Sequence, residues 1–116
     1  MPDWDDSIPI YLQLRGAVLN RILSGSLAEG DAVPSVRQVS ASEKINPLTV
    51  SKGYQMLVDE GFLEKRRGLG MFVVAGARNA ALAQEREIFL AQEWPKVCAR
   101  IADLGLDVQA LLQEQH

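Results

Sequence analysis

The side chains best suited to chemistry in this sequence are cations, and they cluster. Between Ser35 and Gly70 stand six basic residues (Arg37, Lys44, Lys52, Lys65, Arg66, Arg67) against four acidic ones (Glu43, Asp59, Glu60, Glu64), in a chain whose formal net charge is −3. From Ala77 onward the balance reverses, with six acids against four bases. A local surplus of surface cations is what phosphate neutralisation asks for, whatever the sign of the whole molecule. The surplus is modest, so charge alone does not decide the partner.

Bond-making chemistry has few candidates. The one histidine, His116, is the last residue of the sequence and is expected to be disordered, and the one cysteine is Cys98. Neither an internal disulfide nor a cysteine–histidine metal cluster can be built from these, and a lone cysteine fits a reducing compartment. Cys98 reads as a small apolar residue rather than a redox sensor. There is no phosphate loop and no nucleophile–base pair, so an enzyme, a metal site and a cofactor are not expected. The opening residues 1–6 carry three aspartates and no basic stretch, unlike a secretory leader. No apolar run approaches the roughly 18 residues of a membrane span. The expectation is a soluble, cytoplasmic protein with no membrane partner.

The elements that must position the cations can be read from periodicity and punctuation. With 116 residues the chain can bury a core without disulfide or metal. Tyr11, Leu14, Val18 and Ile22 recur at helical spacing, which predicts a helix over 9–24 with Pro9 in its first turn and Gly25 at its exit. Ser35 followed by Gln38 is a capping box, opening a short second helix that turns Val36 and Val39 inward and ends near Lys44. Asn46 as N-cap and Pro47 as first residue predict a third helix over 47–60, stopped by Gly61. On a helical wheel Val50, Gly53, Tyr54 and Leu57 share one face, with Leu48, Ser51, Lys52, Gln55 and Asp59 broadly opposite. Apolar runs at 62–66 and 71–75 flank Arg67-Gly68-Leu69-Gly70, a hairpin with a basic turn. Gly76 closes this unit. Residues 80–94 read as helix, Pro95 as a kink or a new start, and Val97, Ile101 and Leu104 continue the apolar face. Gly105 interrupts it, and Asp107 caps a last helix carrying Val108, Leu111 and Leu112.

The expected fold is α+β: a winged helix-turn-helix over 1–76, three helices plus a two-stranded wing, followed by a short helical region over 77–116. Such a unit suits double-stranded DNA. A helix fits the major groove, where each base pair shows a distinct pattern. The amides at the start of the preceding helix, which Ser35 opens, suit a phosphate, and a wing can set a cation at the neighbouring minor groove.

Several separated motifs, in order, resemble the GntR family: Pro9-Ile10-Tyr11-Leu12-Gln13-Leu14, Pro34-Ser35-Val36-Arg37-Gln38-Val39, Asn46-Pro47-Leu48-Thr49-Val50-Ser51-Lys52, Asp59-Glu60-Gly61-Phe62-Leu63-Glu64 and Arg67-Gly68-Leu69-Gly70-Met71-Phe72-Val73. The likeness covers roughly residues 8 to 75. The tail, with Phe89-Leu90, Trp94-Pro95 and Leu104-Gly105-Leu106-Asp107, looks like the YtrA subfamily, whose small helical C-terminal part dimerises. The resemblance implies a repressor more often than an activator. It implies that Arg37 contacts the operator, that Thr49, Ser51 and Lys52 face DNA from the recognition helix, and that Gly68 and Gly70 form the wing tip beside the cation Arg67. Two departures stand out. Leu48 replaces a polar residue usual in close relatives, which leaves apolar contact with a thymine methyl as the base reading open to it. Lys44 replaces a turn glycine, so either it takes a left-handed conformation or the turn differs.

Plainer roles stand beside these. Arg37 could be a solvated charge, Ser51, Lys52 and Gln55 simply an exposed face, and Thr49 a support for the helix start. Lys65, Arg66 and Arg67 could serve only to blunt a hairpin edge, and Gly68 and Gly70 serve backbone conformation first. In the tail, Leu82, Phe89, Trp94, Val97, Ile101 and Leu111 are too apolar for a solvated segment, and burial against a second copy is the expected answer. The expected function is therefore a homodimeric regulator of transcription on a pseudo-palindromic operator; the alternative is a winged-helix protein-interaction module that binds no DNA. A small-molecule effector is neither identified nor excluded.

Overall fold

The computed structural model describes residues 4–114, so the expectation for His116 lies outside the described residues, as do the first three residues of the acidic opening. In chain order the elements are α1 (Ile10–Ser24), α2 (Val36–Glu43), α3 (Pro47–Asp59), β1 (Leu63–Arg66), β2 (Gly70–Val73), α4 (Ala77–Ile88), a π-helical turn (Phe89–Glu93), α5 (Trp94–Asp103) and α6 (Val108–Glu114). This is the expected α+β arrangement, three helices and a two-stranded antiparallel wing followed by helices.

Local chemistry sets most boundaries. Pro9 is the N-cap of α1 rather than a residue of its first turn, with φ −53° and ψ 136°. The preceding segment is clasped by Gln13, whose Nε2 donates to the carbonyls of Asp5 and Ile8, both at 2.7 Å. Gly25 ends α1 in the left-handed region. The capping box of α2 is complete: Ser35 Oγ accepts from the Gln38 amide at 3.0 Å, and Gln38 Oε1 accepts from the Ser35 amide at 2.8 Å. Asn46 Oδ1 accepts from the Leu48 amide, which caps α3. Lys44 does take the left-handed conformation, at φ 55° and ψ 47°. Ser40 holds that turn, its carbonyl accepting from the Ile45 amide and its hydroxyl donating to the Ile45 carbonyl at 2.6 Å.

The core is one cluster. Leu14, Val18, Leu19 and Ile22 of α1 meet Val39 of α2 and Val50, Tyr54 and Leu57 of α3, and Phe62, Leu63 and Val73 close it from the hairpin. Val50 and Leu57 are 0% exposed and Tyr54 1%, each burial contributing about 1.5–3 kcal/mol. α3 packs tightly on α1 at Gly53, where a Cβ would lie 2.9 Å from the Tyr11 carbonyl oxygen. Across the same pair, Arg15 grips Glu60 with two 2.6 Å hydrogen bonds. Trp4 packs half-buried against this cluster.

The hairpin registers Leu63 with Val73, Glu64 with Phe72, Lys65 with Met71 and Arg66 with Gly70. Gly70 thus belongs to β2 rather than to the turn, and Phe62, expected in the first strand, is a buried residue ahead of it. Residues 30–33 run along β2: Gly30 donates to Val73, Val33 donates to Met71, and Val73 donates to Asp31, all at 2.8–2.9 Å. A single bridge pairs Ala32 with Phe72.

The chain divides into two units, the first ending at Leu82 and the second starting at Ala83. The first passes the Gly76 position read from the sequence because Ala77 and Ala81 are packed into its core and Arg78 Nε donates to the Leu23 carbonyl at 3.0 Å. In the second unit Pro95 stands in the first turn of α5, the new start that the sequence allowed for. The Trp94 amide reaches back to the Phe89 carbonyl, and this wider turn absorbs the proline that an unbroken α-helix would reject. The same turn brings the Phe89 and Trp94 rings to 6.3 Å. Asp107 Oδ1 accepts from the Gln109 amide and opens α6 as expected.

Candidate nucleic-acid interface

The outward face of α3 follows from its inward one. With Val50, Gly53, Tyr54 and Leu57 buried, the 100° step of a helix carries Leu48, Ser51, Lys52 and Gln55 to the surface, and all four are exposed. Thr49 is half-buried in the first turn. Leu48 is 78% exposed.

Tyr54 fixes α3 to the segment that leads into α2. Its hydroxyl donates to the Pro34 carbonyl at 2.6 Å. Burial pushes the Tyr54 phenol up to about 12, because the anion would lose hydration, with the Arg21 charge opposing the shift. That bond joins the α3 core face to the residue just before the α2 capping box.

A groove of about 520 Å³ lies between the start of α2, α3 and the wing. The structure brings Ser35, Ser51, Gly68 and Gly70 to it, together with Lys65 and Arg66. It does not bring Arg37, Leu48, Thr49, Lys52, Gln55 or Arg67 to the groove wall; Arg37, Leu48, Lys52, Gln55 and Arg67 are exposed elsewhere on the same unit. Ser35 is committed to its capping box, so its hydroxyl oxygen is already an acceptor for backbone.

The cations differ in how they are held. Lys52 Nζ sits 4.1 Å from the centroid of the Tyr11 ring. Arg66 lies over Phe72 at 4.2 Å and pairs with Glu64 at 2.8 Å. Such contacts at exposed sites are each worth about 0.5–1 kcal/mol, enough to orient a long side chain without removing its charge. Among the described residues, Arg37, Lys65 and Arg67 have no ion pair. Gly68 (φ 76°) and Gly70 (φ 116°) shape the tip through backbone conformations that side chains resist, and Leu69 between them is 72% exposed.

Two features were out of reach of sequence reasoning. The partnership of Lys52 with Tyr11 depends on how α3 crosses α1, and the placing of Lys65 in the groove ahead of Arg67 depends on strand register. The only available signals were the half-polar position of Tyr11 on the α1 stripe and the period-2 alternation of the wing. Among the described residues no group of histidine, cysteine, aspartate and glutamate could hold a metal ion, and no helix is long and apolar enough to cross a membrane.

In the second unit Phe89, Leu90, Trp94, Val97, Leu104, Leu106 and Leu112 are exposed and Ile101 and Leu111 half-buried. Leu82 belongs to the first unit and is half-buried there. Cys98 is half-buried, less enclosed than a core residue.

Known proteins resemble this chain in sequence and in fold. The family model described as bacterial regulatory proteins, gntR family, matches residues 10–73. The uncharacterized HTH-type transcriptional regulator YhcF of Bacillus subtilis is 32% identical over 111 residues, covering 95% of this chain and 89% of that protein. The HTH-type transcriptional repressor YtrA of Bacillus subtilis is 39% identical over 73 residues, 63% of this chain and 56% of that protein. Among solved structures, a transcriptional regulator from Oenococcus oeni aligns with a TM-score of 0.75 at 28% identity, over 97% of this chain and 92% of that one. The family-model match over residues 10–73, together with the YhcF relative aligned over 95% of the chain, places the chain in the gntR family of bacterial regulatory proteins: it is a transcriptional regulator of a DNA-binding, non-enzymatic family.

Proposed function

We propose that the chain is a cytoplasmic repressor that binds a pseudo-palindromic operator as a homodimer. In this reading residues 1–76 bind DNA and residues 77–116 dimerise. The observation that carries it is the exposed α3 face, with Leu48, Ser51, Lys52 and Gln55 beside a groove lined by Lys65, Arg66 and the wing glycines. α3 enters the major groove, the α2 start and Arg37 meet phosphate, and Arg67, Gly68 and Gly70 approach the minor groove. Thr49 and Ser35 support the two helix starts at the DNA surface. The repressor assignment draws on the name of the YtrA relative.

Dimerisation is supported by the second unit, in which none of the described residues is buried although its helices carry large apolar side chains. Apolar faces of that kind are covered in working proteins, and a two-fold partner also doubles the bases read. The test is a gel shift with footprinting on the DNA upstream of the chain's own gene, run at several salt concentrations. The expected result is a protected inverted repeat whose affinity falls linearly in log–log form with salt. Absence of any complex in dilute buffer would reject the reading.

A further inference from the structure

The α3 face offers few side chains with freedom to read a base. Lys52 rests on the Tyr11 ring at 4.1 Å. Gln55 Nε2 donates to Asp59 Oδ1 at 2.8 Å, one turn farther along the helix. Ser51 is short and lines the groove toward the wing. Leu48 alone is long, 78% exposed and absent from the core cluster. Its backbone is firmly held, because its amide is the one that Asn46 Oδ1 accepts at 2.9 Å. An isolated exposed leucine is ordinary on a protein surface. This one occupies the N-terminal turn of the helix, the part that meets base edges when a helix-turn-helix docks.

A leucine cannot donate or accept a hydrogen bond. Pressed against a guanine, an adenine or a cytosine, it would strip water from polar edge groups and return nothing, at the full cost of unpaired donors and acceptors. The one apolar group that the four bases show in the major groove is the C5-methyl of thymine. We infer that Leu48 determines specificity by covering the methyl group of one thymine in each operator half-site. The inference rests on the DNA reading above.

The test begins with duplexes selected by the full chain from a randomised library. Each thymine of the selected half-site is then replaced singly by deoxyuridine, which removes only the methyl group, and affinities are measured for the wild type and for Leu48→Ala. The expected result is one thymine whose replacement weakens the wild type about three- to fivefold per half-site, the worth of one buried methyl group, and leaves Leu48→Ala unaffected. Unchanged thermal unfolding of Leu48→Ala is expected, since the side chain packs on nothing in the core. A selected site with no uracil effect coupled to residue 48 overturns this inference and leaves the DNA reading standing. Failure to select any duplex at low salt overturns both.

Discussion

At the scale of single residues, two positions bind α3 to its surroundings in different ways. Gly53 is a matter of space: a methyl group there would sit 2.9 Å from the Tyr11 carbonyl oxygen, backbone that cannot swing aside. Gly53→Ala gains helix propensity but forces α1 and α3 apart, and a net loss of about 1–3 kcal/mol is expected in urea unfolding. Tyr54 is a matter of polarity. Tyr54→Phe deletes the donor to the Pro34 carbonyl and should cost about 0.5–1.5 kcal/mol. The phenol titrates near 12 when folded against an ordinary value near 10. The folded chain therefore holds its proton where the unfolded chain has released it. The corresponding stability is complete below pH 10 and is lost as pH rises toward 12. Unfolding midpoints measured through that range should fall more steeply for the wild type than for Tyr54→Phe.

At the scale of elements, the α2–α3 connection carries a conformational cost. Lys44 has the one positive φ of a non-glycine residue among the described residues, and a left-handed conformation costs such a residue roughly 1–2 kcal/mol. Lys44→Gly should raise stability by up to about 1 kcal/mol, after the extra freedom of glycine in the unfolded chain is subtracted. A melting temperature that falls would contradict this. The same connection shows why some elements were legible in the sequence and others were not. The starts of α2 and α3 are written in side chains that cap their own backbone, Ser35 with Gln38 and Asn46 before Pro47, so neighbours in sequence suffice. The buried stripe Val50, Tyr54, Leu57 is equally local. Lys44 left two turns open because its residue type and its neighbours disagree, and Ser40, five residues before Ile45, settles the matter. Strand ends at Phe62 and Gly70 depend on pairing across the hairpin, and the π-helical turn depends on which register relieves Pro95. Neither is encoded one residue at a time. Of the interface, the exposed face of α3 was legible as the complement of its core face, whereas the grouping of Lys65 with Ser35 and Ser51 belongs to tertiary structure.

At the scale of the whole molecule, the proposed function calls for charge at long range and for self-association. Arg37, exposed and with no ion pair among the described residues, is expected to neutralise a phosphate in each half-site. Arg37→Ala should lower the slope of log affinity against log salt by about one per half-site, as read from binding isotherms at graded salt. Ile101→Glu, set in the apolar face of α5, should convert a dimer to a monomer by light scattering. Operator affinity should fall by roughly two orders of magnitude or more as the advantage of linked half-sites disappears. A variant that stays dimeric would move the contact to another face.

The strap of residues 30–33 along β2 bears on how a chain of this kind diverges. Three backbone hydrogen bonds, from the Gly30 and Val33 amides and to the Asp31 carbonyl, tie it to the wing, and Ser35 begins the next helix almost at once. Loss or gain of a single residue there would slide the wing and α2 out of step together, so insertions and deletions in this stretch should be purged. Positions 48 and 69 are exposed and lie outside the core cluster, so point changes there leave the core intact. On the proposed DNA reading, descendants would exchange one operator for another by drift at the surface while the spacing beneath stays frozen.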